Sequence, residues 1–175
     1  MSSQAEDKQK DVLKSWIEEA VNLRYGRSED MPELSPYTDL LAPFQVVEQL
    51  TFIRQRLDRL EELLVLSVRA KASLRRAHQQ VKDEHQQAWD RHVTDSSAVR
   101  RPVLTQEYVT GKEKFAEANL ATFELQRKER KAGEILSFAE EAVEVIRQLH
   151  RGLDSTRQDL LTQVKAMQME SHLER

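Results

Sequence analysis

Cysteine is absent from all 175 residues, which removes disulfide frameworks and thiolate metal sites together. Glycine and proline occur four times each and aromatics make up 6%, too little turn chemistry for a sheet-rich fold. No apolar run approaches the roughly 18–20 residues that cross a bilayer. The opening stretch MSSQAEDKQKDVLK is polar and holds no apolar signal region. These absences set the expectation of a soluble, cytoplasmic chain.

What is present is charge, with 33% Asp, Glu, Lys and Arg beside 39% hydrophobic residues. That apolar share fills a narrow seam between helices more readily than a thick core. A chain so built often completes its core by oligomerising. The net charge of −3 is unevenly spread. Residues 1–43 carry 5 cations and 9 anions, residues 44–133 carry 17 and 13, and residues 134–175 carry 5 and 8. The ends are acidic and the middle is basic.

Periodicity predicts the helices. Val12, Trp16, Ala20 and Leu23 recur at spacings of three and four, so a first amphipathic helix is expected over Lys8–Tyr25 with Gly26 as its stop. Three of the four prolines follow before residue 44, marking a linker. From Phe44 to about His92 there is neither Gly nor Pro. Apolar positions there, among them Val46, Leu50, Ile53, Leu57, Leu60, Leu63, Leu66, Ala70 and Leu74, step by three or four. This is the pattern of a supercoiled seam with a local stammer near Leu66. Such a helix is about 70 Å long. A Ser-, Asp- and Pro-containing break follows, and Thr110 with Glu113 forms a capping-box pattern. The last helix is expected to run to about Met169, with a widened apolar face after Gly133. The domain reading is therefore an N-terminal helix over 1–26, a linker over 27–43, and a long antiparallel coiled-coil hairpin over 44–175, all-α and oligomeric.

Two basic groups stand out. Arg69, Lys71, Arg75 and Arg76 lie in the first long helix, and Arg127, Lys128, Arg130 and Lys131 in the last. If the chain turns midway between His92 and Gly111, Arg76 lies near Arg127 and Arg69 near Glu134, and the eight cations form a mid-stalk girdle. Lys and Arg so gathered suit nucleic-acid phosphates, bound without sequence preference and with strong salt dependence. The bland alternative is a set of solvated helix flanks paired with nearby acids for a few tenths of a kcal/mol each. Stacking aromatics are not interleaved; Phe115 and Phe123 are expected to face the seam.

Other sites are weaker. His78, His85 and His92 recur every seven residues, about 10 Å apart along a helix and too far to share a metal. Glu140, Glu141 and Glu144 beside Arg147 and His150 decorate helix turns and lack the Glu-x-x-His pairs of a di-iron site. There is no phosphate loop or nucleophile triad. No enzyme activity, cofactor, metal, membrane or small-molecule substrate is expected. Arg157 interrupts the heptad grid ahead of Leu160, Val164 and Met167. These four are expected to form an oligomer interface, with Arg157 setting register through Asp154 or a partner's acid; the alternative is an exposed Arg157.

The layout resembles the UvsY-type recombination mediators of tailed phages over about residues 46–170. The resemblance rests on the basic stretch RAKASLRRAHQQVKDEHQQAWDRHV, a loop, a second helix, and the tail LHRGLDSTRQDLLTQVKAMQME. Thr156–Arg157 and Leu160–Leu161 match the family's assembly step, while Thr162 stands where a Lys is expected. The resemblance implies a homo-oligomer that binds single-stranded DNA and loads a RecA-type recombinase by displacing a single-strand-binding protein, in the host cytoplasm if phage-encoded. The alternative function is a structural or adaptor coiled coil, a scaffold or assembly chaperone with protein partners.

Overall fold

The computed structural model describes residues 3–26, 43–98 and 111–173. It is helical: α1 spans Ser3–Tyr25, α2 Pro43–Ala98, α3 Gly111–Ala121 and α4 Phe123–Leu173. No strand occurs among the described residues. Of the linker expected over 27–43, only Pro43 is described, and it opens α2; residues 27–42 and 99–110, with the Thr110 cap, lie outside the described residues. Contacts divide the chain into two compact units, Met1–Ala70 with Ala139–Arg175, and Lys71–Phe138.

In the first unit the N-terminal half of α2 packs with α1 and the later part of α4. Ala20, Ile53, Leu60, Leu63, Ile146 and Leu153 are fully buried together. They are the three- and four-spaced positions of the sequence, so each helix turns one apolar stripe inward. Trp16 and Leu23 of α1 pack against this cluster. Burying one such side chain contributes about 1.5–3 kcal/mol, which is the main reason α1 stays docked.

Polar clasps fix how α1 docks. Arg59 of α2 donates from Nε to Glu19 at 2.7 Å and from Nη1 to Glu62 at 2.7 Å. Further along, Arg56 donates from Nη1 to the carbonyl of Leu23 at 3.0 Å and from Nη2 to that of Gly26 at 3.1 Å. The guanidinium thus meets carbonyls at the C-terminal end of α1, where the helix dipole is negative. Burial lowers the Arg56 pKa, whereas the bonds to Glu19 and then Glu62 raise that of Arg59. Gly26 closes the helix with a 2.7 Å bond to the Asn22 carbonyl. A Cβ there would stand 2.4 Å from that same oxygen, so only glycine fits without a shift.

Arg24 lies beside Gly152 and donates from Nη2 to Thr156 Oγ1 at 3.5 Å, a second polar tie between α1 and α4.

The seam departs from expectation in one place. Ser67 is fully buried, while Leu66 is 38% exposed. Inward positions run Leu60, Leu63, Ser67, Leu74, which keeps the three–four alternation and needs no stammer. Ser67 is tolerated because its hydroxyl donates to the Leu64 carbonyl at 2.8 Å, leaving no unpaired donor inside.

Candidate nucleic-acid interface

The second unit holds seven of the eight candidate cations. Its inward stripe is Leu74 on α2, and Ala118, Thr122 and Ile135 along α3 and α4, all buried. Thr122 sits at the α3–α4 junction, and the helical ladder passes through it. Its amide bonds to the Ala118 carbonyl and its own carbonyl accepts from Gln126, both at 3.0 Å. The Thr122 hydroxyl also donates to Ala118 at 2.8 Å, so the buried oxygen is satisfied.

Cross-helix contacts fix the register of this unit. His78 lies against Gly133, His85 Nδ1 meets Glu129 Oε2 at 2.6 Å, and Trp89 Nε1 donates to Asn119 Oδ1 at 3.2 Å. Partner numbers fall as α2 numbers rise. These pairs put Arg76 level with about residue 135, and Arg127 roughly two turns, about 11 Å, from the Arg76 level. The expected proximity of Arg76 to Arg127 is therefore corrected. The cause is the length of α2: it continues to Ala98 instead of stopping near His92. Thr94, Asp95, Ser96 and Ser97 are only weak helix formers but none is Gly or Pro, so the helix runs more than a turn past His92. Lys131 and Arg130 come closer to the level of Arg76, within about one turn or slightly more.

Helical position sets where the cations point. At about 100° per residue, Arg76 lies roughly 200° round α2 from Leu74, and Arg127 roughly 200° round α4 from Leu125. Both face away from the seam. Arg75, Arg76, Arg127, Lys128 and Arg130 are exposed, and Lys71 and Lys131 are half-buried. The cations form outward belts on two helices and do not converge on one spot. Arg130 pairs with Glu134 at 3.4 Å, its side chain still 83% exposed. Among the described residues no ion pair engages Arg75, Arg76, Arg127 or Lys128. Arg69 belongs to the first unit and is exposed on α2.

Phe123 requires a second correction. It does not face the seam but is 55% exposed, and Leu120 beside it is 81% exposed. With Ala118, Thr122 and partly Leu125 turned inward, residues 120 and 123 fall on the opposite side of the helix. Phe115 lies outside the residues whose side chains are described.

Among the described residues no cluster of three His, Asp or Glu could hold an ion. His85 is occupied by Glu129, and His92 is exposed. Glu144 pairs with Arg147 at 2.7 Å.

Arg157 lies 3.6 Å from Asp154 of its own helix, both side chains partly exposed. Leu160 is buried in the first unit's own core, with Val164 and Met167 packed against it. Comparison of the chain with family models, curated proteins and solved structures returns no match. No helix among the described residues is long and apolar enough to cross a membrane.

Proposed function

We propose that this protein is a non-enzymatic, oligomeric coiled-coil protein that binds single-stranded DNA through the cations of its second unit. In the UvsY-type reading it helps to load a RecA-type recombinase and displaces a single-strand-binding protein. The observation that carries the proposal is the pair of outward belts, where Arg75, Arg76, Arg127 and Lys128 stand exposed without acidic partners among the described residues. Free guanidinium and ammonium groups on a helical surface exchange their counterions for phosphates with little reorganisation. The offset between the belts matters little for a flexible single strand, which can follow a surface of irregular spacing. Of the four residues expected at an oligomer contact, Leu160 is taken up by the first unit's own core, whereas Arg157, Val164 and Met167 keep open surface for such a contact.

A second reading has its own support. On the first unit, Val65 and Leu66 are exposed along α2, lining a shallow surface with Asp58, Glu61, Glu62 and Arg69. An apolar spot with a mostly acidic border suits a protein partner, as in an adaptor or assembly chaperone.

A gel shift with a labelled oligonucleotide at low and moderate salt separates the two. Binding that weakens steeply with salt supports the first reading. No binding even at low salt refutes it and leaves the adaptor.

A further inference from the structure

Leu120 and Phe123 are the most exposed large apolar side chains described in the second unit. A phenyl ring held in water forgoes the stabilisation that burial would bring. The ring is not isolated on its surface. Arg127 follows it by four residues and Arg130 by seven, so all three lie within about 60° of one another on the outward side of α4. Leu120 continues the same strip by one turn in the other direction. The acids nearby are Glu117, one turn from Leu120, Glu124, one turn from Arg127, and Glu134, whose bond to Arg130 is long and exposed. Such a pair is worth little and yields readily to a competing anion.

A ring between cations on one helix face matches the chemistry of an unpaired nucleotide, an aromatic base carried on a phosphate. We propose that Phe123 is a base-stacking residue: an unpaired nucleobase lies on its ring beside Leu120, while Arg127 and Arg130 hold the adjoining phosphates. This rests on the nucleic-acid reading above and adds to it a preference for bases over backbone alone. The exposed cations on the same strip, Arg127 and Arg130, favour an occupant that carries an aromatic ring and an anionic group on each repeating unit, which is the make-up of a nucleotide strand. Arg127 stands about 6 Å along the axis from Phe123, within reach of neighbouring groups on one strand.

The test compares oligo(dT) with an abasic oligonucleotide of equal length and charge, using the full chain. Phe123→Ala is expected to weaken oligo(dT) binding roughly tenfold or more, to leave abasic binding unchanged, and to keep the same salt slope. Arg127→Gln with Arg130→Gln is expected to lower affinity for both strands and to flatten the slope. Phe123→Trp should bind like the parent, with indole emission quenched by oligo(dT) and not by the abasic strand. The side chain is exposed, so helicity and assembly size are expected to match the parent in every variant. Equal affinity of Phe123→Ala and parent for oligo(dT) overturns the stacking role while leaving phosphate binding intact. Equal losses on both strands overturn it as well, by showing a structural effect. A parent protein that binds neither strand sinks the functional reading and this inference together.

Discussion

Arg56 of α2 holds two carbonyls at the end of α1, those of Leu23 and Gly26, at 3.0 and 3.1 Å. The contact lies thirty or more residues away in sequence and joins α1 to the rest of its unit. Trp16 and Leu23 supply apolar adhesion, and Arg56 fixes where along α2 that adhesion occurs.

Replacing Arg56 with Ala is expected to cost about 1.5–3 kcal/mol, the range for a hydrogen-bonded charged group. Arg56→Lys recovers only part, because an ammonium cannot span both carbonyls as the planar fork does. Denaturant unfolding followed by far-ultraviolet circular dichroism checks this. An unchanged midpoint for Arg56→Ala means that the clasp carries no weight.

The seam register can be read from paired substitutions. Leu66→Glu is expected to change stability by no more than about 0.5 kcal/mol, whereas Leu63→Glu places an unpaired charge in the core and unfolds the unit. Ser67→Leu overpacks the site for a loss of about 1–3 kcal/mol. Thermal melts decide it. Severe loss from Leu66→Glu would put that residue on the seam after all.

Truncation of Leu153 to Ala removes a fully buried side chain where α4 meets α1 and α2. The expected loss is about 2–5 kcal/mol, with Leu161→Ala, on the exposed side, as the near-neutral control. Chemical denaturation of both measures the contrast.

Charge reversal at Arg75, Arg76, Arg127 and Lys128 should abolish single-strand binding while helicity and particle size persist. Titration by fluorescence anisotropy, beside light scattering, tests both halves. Loss of assembly instead assigns these residues to a subunit contact.

The helices were largely legible because their information is local. The spacing of Val46, Ile53, Leu57, Leu60 and Leu63 in α2, and of Ala139, Val143, Ile146, Leu153 and Leu160 in α4, foretold which side is buried. Boundaries were harder to read. Residues 93–98 have weak helix preference, yet they continue α2, and a few residues there moved the predicted facing pairs by about two turns. Ser67 was missed because its polarity argues against burial, although a bond to the preceding turn removes the objection. Arg56 was invisible for another reason. Nothing in a run of alternating Arg, Asp and Glu tells which cation will find a helix end brought in from elsewhere. Phe123 was assigned by residue type to the seam, when its phase relative to Ala118 and Leu125 already pointed outward.

The clasp on α1 also acts as a gauge of length. With α1 ending at Tyr25, the Leu23 and Gly26 carbonyls serve as acceptors for the Arg56 guanidinium. A sequence change that carried the helix one turn beyond Tyr25 would occupy those oxygens internally and leave Arg56 with nothing to grip. The side chain therefore rewards one stopping point over its neighbours, and a distant residue of α2 helps decide where the first segment ends.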